Sequence, residues 1–346
     1  MEVKEKTTAP ADSLAKKKGK MTFRDFILKY YAILFLVIVF VAASLISDIF
    51  LTSQNLFTVL RQRSVYLIIA MGMLMVIITA GIDLAAASVA TLSSIILGCS
   101  FERWGLGNGS VLGIWGVIIL AVATATVVGC INGFLVAKLR MPAFIVTLAT
   151  NYACDGICYI ITKGNTIMLN SSGLPYAKLV YPGFAFQTFL KIPYMVILAV
   201  IIVLIFHFVM KYTTFGRMVY AIGSNENAVQ LAGINSKKYL FFVYLLEGLL
   251  CGIAGVLMVC RSSNASALSC SGDYAMSTIA GVVLGGASLA GGEGTVALTV
   301  VGVMIIAIIS NVMNLINLPS YPQEVVTACV IILAVLLKSV SSKKQG

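Results

Sequence analysis

The 346-residue chain is 60% hydrophobic and only 11% charged, with a mean hydropathy of +1.00 and a net charge of +11. A soluble domain carries about 25% charged residues, and a chain this apolar cannot cover a water-exposed exterior. One histidine, few acids and eight cysteines with no C-x-x-C exclude a zinc site and a nucleophile–base–acid set, so neither a metal centre nor an enzyme is expected.

In lipid every backbone amide must bond internally, which leaves helices or closed barrels. The apolar runs Ile33–Ile46, Val111–Val136, Ile192–Met210 and Val296–Ile309 are continuous rather than alternating. Helices are therefore expected, and the fold class is an all-α integral membrane protein of roughly ten transmembrane helices. Residues 1–30 form a basic, disordered tail that carries Lys4, Lys6, Lys16, Lys17, Lys18, Lys20, Arg24 and Lys29. Helices follow near 31–51, 64–80, 84–100, 111–137, 142–162, 192–210, 239–260, 275–290, 295–316 and 323–338. The transmembrane domain thus spans 31–338, with a short tail at 339–346. The cysteines read as small buried hydrophobes.

Lys and Arg orient the bundle. With both ends inside, seventeen of the 24 basic residues fall on cytoplasmic segments and seven outside. Much of that charge sits in the tail and in a few loops, which reads as topology rather than nucleic-acid binding. Two loops are long. Residues 163–191 are expected outside as an ordered cap or docking surface. Residues 211–238 are expected in the cytoplasm. There Ser224 caps a short helix, Ala228, Leu231 and Ala232 share one face, and Gly233 ends it. Its small face and the acidic Glu226 favour docking on a partner over lying on lipid.

This loop resembles the cytoplasmic loop of permeases from bacterial ABC sugar importers of the ribose/xylose/arabinose type. The shared residues are Thr213, Phe215, Gly216, Arg217, Tyr220, Ala221, Ile222, Gly223, Asn225, Ala228, Gly233 and Ile234. Gly81-Ile82-Asp83-Leu84 with Ser88, Pro142–Leu148 and Gly285–Gly294 are similar to three further family motifs. The resemblance runs from about residue 55 to 338. Ala85, Ala87, Ala287, Ser310 and Val312 depart from it in the membrane half, where they bear on the substrate.

The resemblance implies a type II-like importer permease fold and alternating access. It implies a second copy or a paralogue, two cytoplasmic ATPase subunits holding ATP and magnesium, and an extracytoplasmic solute-binding protein. It places the protein in a bacterial plasma membrane. A monosaccharide such as ribose is the expected solute. A nucleoside or branched-chain amino acid permease is the nearest alternative, and an ion-coupled carrier a more distant one. Contact with the ATPase falls to Gly223, Ser224, Asn225, Glu226, Ala228, Leu231, Ala232 and Gly233.

Polar residues within the membrane are costly and face the bundle interior. Asp83 either pairs, caps the third helix or meets substrate. Asn132, Asn151, Asp155, Asn311 and Asn314 either line the pathway or tie helices together. Glu247 is expected to pair or snorkel. Gly81 permits a helix break. Gly285, Gly286, Gly291, Gly292 and Gly294 serve close packing or a gate. They are not a phosphate loop, because no lysine follows them and no G-x-x-x-x-G-K-[ST] exists.

Overall fold

The computed structural model describes residues 23–106, 111–169, 176, 184, 186–189, 192–269 and 273–342. The expected tail over 1–22, most of the 163–191 loop and 343–346 lie outside them. The described chain is helical: α1 (Phe23–Ile46), α2 (Ser53–Ile78), α3 (Ala86–Glu102), α4 (Val111–Gly133), α5 (Ala143–Thr162), α6 (Tyr194–Tyr212), α7 (Thr214–Leu231), α8 (Ser236–Ser262), α9 (Asp273–Leu284), α10 (Val296–Leu315) and α11 (Ser320–Ser342). A π-helical turn, Phe134–Lys138, prolongs α4. Six helices are long and apolar enough to cross a membrane, and Tyr31–Ile46, Ala86–Glu102 and Tyr274–Leu284 are shorter apolar segments. With α11 these make ten apolar helices among the described residues, as expected.

Two short antiparallel pairings complete the fold: β1 (Ile167–Met168) with β4 (Asn264–Ala265), and β2 (Thr188–Phe189) with β3 (Ile192–Pro193). The loops sort onto two faces. On one, Gly292 N–H donates to Ile78 O (2.8 Å), Tyr220 OH donates to Gly294 O (2.7 Å), and Arg140 pairs with Glu226. On the other, β1 pairs with β4, Arg103 donates to Ile161 O (2.7 Å), and Asn55 meets Asn311. Helix direction therefore alternates along the chain.

The second helix starts at Ser53, well before the expected 64, because Thr52 caps it by accepting from Asn55 N–H (3.4 Å). Arg61 and Arg63, two of the seven basic residues placed outside, are consequently helical. Arg61 lies over the Phe186 ring at 4.5 Å, and buried Arg63 lies over Tyr66 at 4.6 Å. The 211–238 segment is also mostly helix, as α7, rather than a loop containing one short helix. Cys130 is half-buried and Cys329 exposed, whereas Cys99, Cys154, Cys158, Cys251 and Cys260 are buried.

From Ser64 onward α2 is buried on nearly every side, as is α3, which suits helical stretches that are apolar all round. α8 packs against α2, α3 and α4. In lipid there is no hydrophobic force between helices, so small residues that admit close backbones decide where they meet. Gly129 on α4 and Gly248 on α8 face each other. A Cβ on Gly129 would sit 2.9 Å from Gly248 Cα, and one on Gly248 would sit 2.8 Å from Gly129 Cα. Gly248→Leu is expected to separate these helices and destabilise the protein by about 1–3 kcal/mol or more. A melt in detergent checks this. Gly116→Ala, which meets nothing within 4 Å, should melt like the parent, and equal melts for both variants would refute the close contact.

Candidate functional site

Two regions hold the candidate functional residues: the connection on the first face and a partly open cleft between α3, α5 and α9. The connection begins at Thr213, which ends α6 and caps α7 by accepting from Gly216 N–H (3.3 Å). α7 then breaks at Asn225, whose backbone is extended (φ −163°, ψ 95°). Asn225 Oδ1 accepts from Ala228 N–H (3.0 Å) and so caps the short second segment. The cap is thus Asn225 and not Ser224. Ser224 instead donates back to Tyr220 O (3.0 Å) and finishes the first segment. Gly233, at φ +78°, closes the far end, where Ile234 N–H donates to Val229 O (3.2 Å).

The short helix has two distinct sides. Val229 is buried with Ala137, Ile222 and Leu240. Ala228, Leu231 and Ala232 are exposed, Leu231 at 89%. Glu226 fixes its pose. It accepts from Ser236 Oγ (2.7 Å) and Gln230 Nε2 (3.0 Å) and pairs with Arg140. One carboxylate therefore joins the short helix, the start of α8 and the corner between α4 and α5. Burial works to raise the Glu226 pKa, but the Ser236 hydrogen bond and then Arg140 outweigh it, and the carboxyl titrates below the usual carboxylate range. Arg140 was missed from sequence. Its signal is only a basic residue at a sharp corner, where its φ of +60° is unusual for a side chain-bearing residue.

The glycine stretch packs under this connection. Gly223 does not end the short helix; it lies against Ile78 O and Gly292 N. Gly292, at φ +74°, touches Ser224, and a Cβ there would meet Ser224 Oγ at 2.5 Å. Gly291 packs against Gly223 O and Ala80, Gly285 against Leu298 and Thr299 of α10, and Gly294 against Leu74. Gly286 is near Tyr31 OH, and Gly81 near Tyr244 OH.

The cleft, about 310 Å³, is lined by Ser88, Asn151, Asp155 and Tyr159 together with Leu84, Leu148, Leu268 and Met276. Asn151 Nδ2 donates to Asp155 Oδ2 (3.4 Å). These residues recur every four along α5, which makes one polar stripe on an otherwise apolar helix. Tyr159, one turn beyond Asp155, was legible from that spacing. Its size suits a small solute.

Of the other intramembrane candidates, Asp83 caps the start of α3 and the asparagines tie helices. Asp83 Oδ1 accepts from Ala85 N–H (2.7 Å) at the start of α3, and Thr147 Oγ1 donates to Ile82 O (3.1 Å). Asn132 Oδ1 accepts from Thr150 Oγ1 (2.6 Å), joining α4 to α5. Asn55 and Asn311 each donate Nδ2 to the other's Oδ1 at 2.9 Å. Asn314 Oδ1 accepts from Gln323 Nε2 (3.0 Å). Glu247 neither pairs nor snorkels. It is 2% exposed and wedged beside Gly72, with the Cys251 thiol donating to Oε1 (3.7 Å).

Residues 55–335 match the family described as branched-chain amino acid transport system / permease component. The chain belongs to this permease family. It is 36% identical over 326 residues to the ribose import permease protein RbsC of Escherichia coli, covering 93% of this chain and 96% of that one. The Bacillus subtilis RbsC is 35% identical over 326 residues, covering 94% and 97%. The D-allose transport system permease protein AlsC of E. coli is 32% identical over 337 residues, covering 97% and 99%. No solved structure matches. The protein is therefore a multi-pass membrane permease.

Glu226→Ala removes the acceptor of three contacts. It is expected to raise hydrogen–deuterium exchange over residues 226–232 by roughly 5-fold, as for loss of about 1 kcal/mol from a partly exposed network. Because the folded pKa is depressed, this contribution is present above the ordinary carboxylate range and is lost only as pH falls through the lower folded value. Unchanged protection in the variant would show that the carboxylate does not hold the helix.

Proposed function

We propose that this chain is the permease subunit of an ATP-driven importer that moves a monosaccharide such as ribose by alternating access. The observation that carries the reading is a small, partly open cleft with four polar side chains in a permease whose relatives, over nearly their full length, are named for ribose and allose. The amide of Asn151, carboxylate of Asp155 and hydroxyls of Ser88 and Tyr159 supply donors and acceptors suited to sugar hydroxyls. The family description and the notion of an amino acid solute favour a second reading. Against it, none of the described lining residues is basic, so the cleft offers a zwitterion's carboxylate no side-chain cation.

The exposed Ala228–Leu231–Ala232 face is the proposed seat of a cytoplasmic ATPase. Two ATPase subunits would hold ATP and magnesium, a second permease copy or paralogue would close the pathway, and an external binding protein would deliver solute. The first face is then cytoplasmic, along with both chain ends, in a bacterial plasma membrane. An ion-coupled carrier remains the contrasting class, and the intramembrane acids Asp83, Asp155 and Glu247 are its few supporting features.

Vesicles containing this chain, the ATPase and the binding protein should accumulate sugar only with ATP on the cytoplasmic side. Asp155→Ala should cut that uptake at least about 10-fold, as when a charged hydrogen-bonding group is lost. Uptake by the chain alone down a proton gradient would refute the ATP-driven mechanism. In a separate pull-down, Ala228→Trp should fold normally yet lose the ATPase, since bulk on an exposed face blocks docking without touching the bundle. Retained binding and transport would mean that this helix is not the coupling element.

A further inference from the structure

The T-x-F-G-R stretch contains a residue that neither the cavity nor the short helix uses, Arg217. It lines a second cavity of about 490 Å³, with His207, Lys211, Tyr220 and the first residues of α10, Thr295–Ala297. None of the described lining residues is acidic. The one ion pair among the described residues, Arg140–Glu226, is elsewhere. Lys211 Nζ lies 5.2 Å from the Tyr212 ring, and Arg217 Nη1 donates to Tyr212 O at 3.4 Å. Tyr220 OH is committed to Gly294 O. Two exposed cations thus line one cavity, and among the described residues neither forms an ion pair.

The depth of this cavity matters. Its walls are the last turns of α6 and the first of α10, both long and apolar enough to span. Leading to it along α6 is an exposed apolar stripe, Ile201, Leu204, Ile205 and Phe208. The stripe stops where Lys211 begins. That sequence of apolar face and then paired cations matches acyl chains beneath an anionic headgroup. A basic pocket between helix ends at a membrane surface is a recognised form of such a site.

We propose that this cavity binds the phosphate of an anionic phospholipid whose acyl chains lie along the α6 stripe. The inference rests on membrane location alone and is independent of the transported solute. A soluble partner is disfavoured because the cavity opens beside lipid-facing side chains.

The test is native mass spectrometry of the purified full chain titrated with dioleoylphosphatidylglycerol or dioleoylphosphatidylcholine. Phosphatidylglycerol should bind more tightly. Lys211→Gln with Arg217→Gln should weaken it by about 30-fold and either change alone by about 5-fold, at the usual contribution of a basic residue near a charged membrane. Lys237→Gln with Lys238→Gln removes equal charge from the same face outside the cavity and should change binding less than about 2-fold. Melting in phosphatidylcholine checks that each variant folds, and the single variants serve if the double one does not. Equal losses in both double variants would reduce the effect to net charge and overturn the site. So would equal affinity for the two lipids, or full displacement of phosphatidylglycerol by millimolar inorganic phosphate. Loss of the ATPase with phosphatidylglycerol binding intact would reassign the cations to protein docking.

Discussion

Helix α2 ends inside the protein, and its freed carbonyls have to find donors there. An unpaired backbone carbonyl away from water costs several kcal/mol. Ile78 O is met by Gly292 N–H, and Val76 O by Gly81 N–H. At the other side of the break, the Asp83 carboxylate accepts from the first amide at the start of α3. The glycine turn before α10 therefore supplies one of the donors that hold the break between α2 and α3. That turn in turn lies against Gly223 and Ser224 of α7. One backbone requirement thus puts the helix break, the glycine turn and the end of the first segment of α7, immediately before the short helix, in direct contact.

This contact gives the short helix a mechanical route into the bundle. Val229 anchors it by burial, and Glu226 ties it to α8 and to the α4–α5 corner. α5, which starts at that corner, carries Asn151, Asp155 and Tyr159 into the cavity. A shift of the short helix would bear on Arg140 and so on the base of α5. Packed, hydrogen-bonded groups thus connect the short helix to α5 without a gap.

The lipid-facing and interior surfaces are divided by the same rules. α4 and α8 approach closely through glycines, whereas the exposed side of α6 is built from large apolar residues. In lipid, small residues mark helix contacts and bulky ones the periphery. Polar side chains mostly saturate one another between helices, as Asn55 with Asn311 does. The α5 stripe is different because its polar groups open into a cavity.

Composition and continuous apolar runs determined the membrane class, the ten apolar helices and their alternation, because those depend on residue type and length alone. The exposed face of the short helix was also legible, since it follows from the i, i+3, i+4 spacing of Ala228, Leu231 and Ala232. Sequence could not separate pathway residues from helix ties. Asn132, Asn151 and Asn311 are the same residue type in similar apolar settings, and only the neighbouring helix decides whether an amide meets Thr150, a cavity or Asn55. The early start of α2 escaped notice because its first turns are polar and are held by the Thr52 cap rather than by lipid. The role of Glu226 likewise needed tertiary structure: Arg140 lies 86 residues away in the chain and Ser236 ten, and only folding brings both to one carboxylate.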